Sequence, residues 1–158
     1  MKIGLISDTH GQLPIEIFKI FADVDLIIHA GDIGPEEILV DLKTIAPVKA
    51  VFGNMDHSPL SHSLNRVDFI KADNLTLCVT HIMNSPKSFA YELFKMNKKA
   101  NVVIYGHTHI PQVSEYNNIK FVNPGSVVHP RGGTAPSVAI LTVEGDAANV
   151  EFFKLKQS

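Results

Sequence analysis

The sequence predicts an α/β fold in which two sheets pack together, and two observations carry that reading. In the first third of the chain, short β-rich apolar runs alternate with stretches of helical period, the pattern of βαβ units around a parallel sheet. Beyond residue 64 strands predominate, and turn-forming residues separate the last of them, which predicts an antiparallel meander. With 158 residues and an apolar share of 45%, the chain has enough material for a substantial core within one domain, residues 1–158.

In chain order, KIGLI reads as a strand and Pro14 to Phe21 as a helix with Ile15, Phe18 and Phe21 on one face. The run DLIIH is a second strand, Pro35 to Leu42 a second helix, and VKAVF a third strand. Pro14 and Pro35 suit a first helical turn, where a missing N–H costs nothing. RVDFI and LTLCVT follow as strands, then an amphipathic helix near Pro86 to Met96 and a strand at NVVIY. The runs QVSEY, IKFVN, SVAILTV and NVEFFKL complete the chain, with Asn117-Asn118 and Gly145-Asp146 as turns.

Five apolar runs end in polar, metal-competent residues: LIS in Asp8 and His10, IIHAG in Asp32, VFG in Asn54, CVT in His81, and VIYG in His107 and His109. Ligands of open α/β sheets bind beyond the carboxyl ends of the strands, so these tips converge on one place. Residues 8 and 10, and residues 107 and 109, are spaced to point to the same side of an extended segment. Gly31, Gly53 and Gly106 stand just before proposed ligands, where a residue without Cβ lets the backbone turn sharply. GD and GN are ordinary turn dipeptides when met alone; the full set at matching strand tips is what points to a site.

Four imidazoles, two carboxylates and one amide form a mixed N/O donor set without thiolate. Such a set suits Mn²⁺, with Ni²⁺, Co²⁺, Fe²⁺ or Zn²⁺ as alternatives, better than Ca²⁺ or a cysteine-rich structural zinc. Seven ligands exceed the need of one compact ion and match two ions sharing a carboxylate, about 3.5–4 Å apart, as used for displacement at phosphorus.

The pattern D-x-H, GD, GN-x-D, T-H and GH-x-H, followed by NPGS and PRG, resembles the calcineurin-like metallophosphoesterases, in particular their small single-domain phosphodiesterases of bacteria and archaea. Here it stands as Asp8-Thr9-His10, Gly31-Asp32, Gly53-Asn54-Met55-Asp56, Thr80-His81, Gly106-His107-Thr108-His109, Asn123 to Ser126 and Pro130-Arg131-Gly132. The resemblance implies an αββα sandwich of two mixed sheets with the site between loops at one edge. It implies one ion on Asp8, His10 and His109, a second on Asn54, His81 and His107, and Asp32 bridging both. The activity it implies is hydrolysis of a small phosphoester, a diester above all, by a hydroxide held between the cations. One relative, a subunit of the retromer sorting coat, uses this fold as a protein-interaction scaffold; that alternative would be favoured by lost ligands, and all seven are present.

Three departures bear on chemistry. Many relatives carry His directly after the Asn of GN as a leaving-group acid, where this chain has Met55. Ile82-Met83 follows Thr80-His81 in place of Gly-His. Ser58 to Val67 is too short for a specificity cap, which predicts an open site. Asp56, His57 and Arg131 are the candidate catalytic residues: Asp56 to orient a ligand imidazole, His57 as replacement acid or phosphate contact, Arg131 to bind phosphate oxygens. Asn123 and Ser126 are expected to order the turn supporting the metal loops, His29 to be packed and hydrogen-bonded, His62 to be solvated, and Cys78 to be a packed thiol.

A net charge of −2, without a run of Lys or Arg, offers no footprint for nonspecific nucleic-acid or membrane-surface binding. KIGLIS after Met1 is too short for a secretory core, and one cysteine excludes an intrachain disulfide, so a soluble cytoplasmic protein is expected. The sequence leaves substrate identity, native metal and oligomeric state open.

Overall fold

A computed structural model describes residues 1–157. It contains two five-stranded mixed sheets. The first has β1 (Lys2–Ile6), β2 (Leu26–His29), β3 (Val48–Ala50), β9 (Ser137–Glu144) and β10 (Ala147–Lys154), in the order β10-β9-β1-β2-β3. The second has β4 (Val67–Ala72), β5 (Leu75–Thr80), β6 (Val102–Ile104), β7 (Gln112–Tyr116) and β8 (Ile119–Asn123), in the order β4-β5-β6-β8-β7. Four helical segments complete the described fold: α1 (Glu16–Ile20), α2 (Glu37–Lys43), α3 (Leu60–Ser63) and α4 (Pro86–Lys95).

Three apolar clusters define four layers. Ile3, Leu5 and Ile28 of the first sheet pack in one cluster with Leu77, Val79 and Ile104 of the second. Ile17, Phe21, Ile38 and Leu42 tie α1 and α2 to the outer face of the first sheet, and Phe89 and Leu93 tie α4 to that of the second. The expected αββα sandwich of two mixed sheets is the observed architecture. Among the described residues no helix is long and apolar enough to cross a membrane.

The local signals explain most boundaries. Ser85 caps α4 by accepting from the Ser88 N–H at 3.1 Å, Pro86 takes the first helical position, and Phe89 and Leu93 bury one stripe. In α1 the expected face is out of phase: Ile17 is buried while Ile15 is 78% exposed, because five helical residues make little more than one turn and Phe21 already lies past its end. Within the segment from Ser58 to Val67 a single helical turn, α3, sinks Leu60 into the core.

The expected C-terminal meander is corrected. β7 and β8 form a hairpin at the edge of the second sheet, while β9 and β10 form another in the first, with β9 antiparallel to β1. Residues 124–136 cross between the sheets, and this crossing brings His129 and Arg131 to the strand tips.

Fully buried His29 ends β2. Its Nδ1 accepts from the Gly31 N–H at 3.2 Å, which leaves Nε2–H to donate to Thr9 Oγ1 at 3.0 Å; Thr9 in turn donates to the Ile33 carbonyl at 2.7 Å. Burial pushes the His29 pKa down to about 3. A folded pKa below the unfolded value of about 6.5 means stability that is complete above pH 6.5 and lost as pH falls toward 3, because the unfolded chain takes up the proton first. Wild-type protein is therefore expected to lose on the order of 1 kcal/mol per pH unit more than His29→Asn below pH 6. Urea unfolding from pH 7 to pH 4 measures this, and parallel slopes for the two proteins would refute it.

Candidate metal centre

The strand tips converge. Ligand atoms of Asp8, His10, Asp32 and His109 all lie within 4.8 Å of one another. His81 joins them through Nε2, 3.3 Å from Asp32 Oδ2, and His107 Nδ1 faces Asn54 Oδ1 at 3.0 Å. The rings of His81 and His107 lie 5.4 Å apart.

The i, i+2 pairs meet by a different route from the expected extended backbone. Asp8, His10, Asp32, His107 and His109 all have positive φ, between 45° and 70°. The left-handed region costs an ordinary residue on the order of 1 kcal/mol, less for Asp and His, and such strain gathers at functional sites. Hydrogen bonds between loops hold it: the N–H groups of Asp8, His10 and Gly11 donate to the carbonyls of Gly31, Asp32 and Ile33 at 2.9–3.0 Å.

Each buried carboxylate uses one oxygen for structure and presents the other to the cluster. Asp8 Oδ2 accepts from Ser7 Oγ at 2.7 Å and from the His107 N–H at 3.1 Å, leaving Oδ1 facing His109 Nε2 at 3.0 Å. Asp32 Oδ1 accepts from the Met55 N–H at 2.8 Å, and Oδ2 faces His81. The imidazoles are fixed in the same way. His81 Nδ1–H donates to the Ala30 carbonyl and His109 Nδ1–H to the His129 carbonyl, both at 2.7 Å.

A neutral imidazole that donates through Nδ1 turns the lone pair of Nε2 toward the cluster. Asp8 Oδ1, His10 Nε2 and His81 Nε2 are buried without a hydrogen-bond partner. Acceptors converging on acceptors repel unless a proton or a cation lies between them, so this donor set fits divalent metal. The proton affinities agree. The His109 pKa is raised by the Asp8 carboxylate 3.0 Å away, against burial; for His81 burial lowers the pKa, and the contact with Asp32 and the charge of Asp8 outweigh it. Burial pulls the His10 pKa down, while burial of Asp32 is outweighed by His81 and the Met55 N–H, which hold its carboxyl low.

A cavity of about 270 Å³ opens over the cluster, lined by His10, Asp32, Asn54, Met55, His107 and His109, and walled by His129 and Arg131. His57 is exposed and lies outside this lining. Asp56 does not orient an imidazole: its Oδ1 accepts from the Ile33 and Gly34 N–H groups at 2.8 and 3.1 Å, and its Oδ2 from the Gly53 N–H at 2.8 Å. It therefore clamps the Asp32 loop to the Asn54 loop. Asn123 Nδ2 donates to the Gly106 carbonyl and to Thr108 Oγ1, and Ser126 Oγ to the Asp8 carbonyl, so both support the metal loops. Ser7 is the contributor that sequence reading misses, since nothing distinguishes a serine inside LIS; Arg66 lines a neighbouring cavity together with Asn54 and His81.

The sequence profile of the calcineurin-like phosphoesterase superfamily domain matches residues 1–146. The chain belongs to that family. A probable metallophosphoesterase of Methanothermobacter thermautotrophicus is 36% identical over 160 residues, covering 98% of this chain and 92% of that one. A phosphodiesterase of Methanocaldococcus jannaschii is 32% identical over 161 residues, covering 91% and 94%. The structure of a zinc-complexed Vps29 from Entamoeba histolytica superimposes with a TM-score of 0.80 at 20% identity, covering 98% of this chain and 99% of that one, a likeness of fold alone.

Two glycines of this calcineurin-like domain are required by close approach rather than by a turn. A Cβ on Gly106 would collide with Ser7 Oγ and lie 2.7 Å from Asp8 Oδ2; one on Gly53 would collide with the Asp32 carboxylate. Gly106→Ala is expected to retain its circular dichroism spectrum and to lose metal affinity on the order of tenfold or more, as disrupted outer partners of ligands do. Calorimetric metal titration checks this, and unchanged affinity would show that the Asp8 carboxylate can relocate freely.

Proposed function

We propose that this calcineurin-like phosphoesterase is a phosphodiesterase acting on small substrates with two divalent ions. The observation that carries the reading is the gathering of the Asp8, His10, Asp32 and His109 ligand atoms within 4.8 Å, beneath a cavity walled by a guanidinium and an imidazole. Asp8, His10 and His109 would hold one ion and Asn54, His81 and His107 the other, with Asp32 shared between them. Bound there, the cations supply an acidified water as nucleophile and neutralise charge on the phosphoryl group.

The protein's own groups do the rest. Arg131 binds non-bridging oxygens of the substrate from the cavity wall. The Met55 thioether lines the same wall and cannot donate a proton. As the bond from phosphorus to the leaving oxygen breaks, His129 delivers the proton that this oxygen takes up; His57, outside the lining, does not. The complete donor set favours hydrolysis over a protein-interaction scaffold.

Metal-free protein is expected to take up two ions per chain. Asp32→Asn disrupts both sites and His109→Ala mainly one, and the loaded enzyme prefers an aryl phosphodiester to its monoester. Saturation at one ion or none, or a higher kcat/KM for the monoester, would overturn the reading.

His129→Ala separates the leaving groups. An alkyl diester should lose on the order of 10²-fold in kcat/KM while a nitrophenyl diester barely changes, because only the poor leaving group needs the proton. His57→Ala should affect neither. Equal losses on both esters in His129→Ala would assign His129 to binding instead.

A further inference from the structure

The chain has two arginines and twelve lysines. Both arginines border the metal centre, and no lysine lines either cavity there. Arg131 stands in the wall of the cleft, and its N–H donates at 3.2 Å to the carbonyl of His109, a ligand assigned to the first ion. Arg66 lines a separate cavity of about 210 Å³ together with Asn54 and His81, two ligands assigned to the second ion, and with Phe52 and Ile82. We propose that this second cavity is an anion subsite, in which Arg66 holds a carboxylate or phosphate carried by an ester substituent of the substrate. This inference rests on the phosphodiesterase reading and narrows its substrate class.

The position of Arg66 follows from the join between the two sheets. β3 and β4 are edge strands, one of the first sheet and one of the second. Just beyond β3, Val51 bridges to Asn65, and the Phe52 N–H donates to the Asn65 carbonyl at 3.2 Å. On the other side of Arg66, Val67 pairs antiparallel with Thr80, so the same register carries Arg66 to the level of His81. Facing residues of such a pair lie about 5 Å apart, within the span of an arginine side chain. The backbone around Arg66 is thus locked to the Asn54 loop of one sheet and to the His81 tip of the other, and its side chain lines the cavity that both border.

The chemistry of this cavity selects an anion. Arg66 is exposed, and among the described residues every ion pair involves a histidine, so its guanidinium meets no carboxylate of the chain. Asp68, the closest acidic residue in sequence, accepts instead from the Phe69 N–H at 2.9 Å. A guanidinium offers a planar fork of N–H donors and no acceptor, which matches two oxygens of a carboxylate or phosphate. Phe52 and Ile82 give apolar sides for a carbon linker to cover. Arg66 lines this cavity and not the metal cleft, so the oxyanion it meets is a different group from the phosphoryl held by the cations and Arg131. The substrate class is therefore a diester that carries a further negative charge on a short substituent.

The test compares p-nitrophenyl phosphodiesters that release the same phenol and retain a propyl, a 2-carboxyethyl or a 2-phosphonoethyl group. The metal-loaded enzyme is expected to favour a charged ester over the propyl ester by about tenfold in kcat/KM, through a lower KM, and the larger of the two advantages identifies the oxyanion. Arg66→Gln should bring that ratio close to one, and Arg66→Lys, which keeps the charge without the fork, should restore part of it. Independently of turnover, the two arginines give two Nε–H resonances, which Arg66→Gln assigns. In zinc-loaded protein, methyl 2-carboxyethyl phosphate or its phosphonate counterpart should shift the Arg66 signal, and methyl propyl phosphate should leave it in place. No preference over the propyl ester, a preference retained in Arg66→Gln, or an unmoved Arg66 signal would overturn the subsite. A protein inactive on all of these esters whose Arg66 signal still shifts would refute the phosphodiesterase reading and keep the anion subsite.

Discussion

Two carboxylates with almost no solvent exposure, Asp8 at 0% and Asp32 at 3%, impose the constraint that the rest of the molecule satisfies. Burying like charges side by side is costly unless each is hydrogen-bonded and the pair faces compensating charge. The fold meets the first condition with Ser7 Oγ and the His107 N–H at Asp8 and the Met55 N–H at Asp32. It meets the second by aiming the remaining oxygens at His81 and His109. Each of those imidazoles is tied from behind to a backbone carbonyl, so the centre is held by groups on five strand tips.

That arrangement explains where strain is tolerated. The left-handed residues lie in loops cross-linked to their neighbours by backbone hydrogen bonds, and Asp56 adds three more from a single carboxylate. Regular strands on either side supply the rigidity against which these loops can be bent. Gly53 and Gly106 complete the packing, since a methyl group at either position would compete with a carboxylate for the same space.

The layered α/β architecture and the meeting of strand tips are legible in the sequence because both follow from local pattern: apolar runs of strand length, each closed by a polar residue. What escapes it is non-local. Asn117-Asn118 and Gly145-Asp146 encode hairpins equally well in either sheet, so nothing local assigns β9 to the side of β1. The phase of α1 is undetermined in so short a helix, which is why Ile17 rather than Ile15 faces the core. Asp56 satisfies N–H donors more than twenty residues upstream, and a backbone partner has no signature in the chain that receives it. The placement of His129 and the exclusion of His57 from the cavity depend on how the segment between the sheets settles, which only the assembled fold determines.

Residue 129 serves the metal centre through its carbonyl, which fixes His109, while its side chain stands in the cavity wall. Any amino acid has that carbonyl. The side chain at this position therefore answers to the cavity alone, without disturbing the hydrogen bond on which His109 relies. The two demands are inherited separately, one by the backbone and one by the codon.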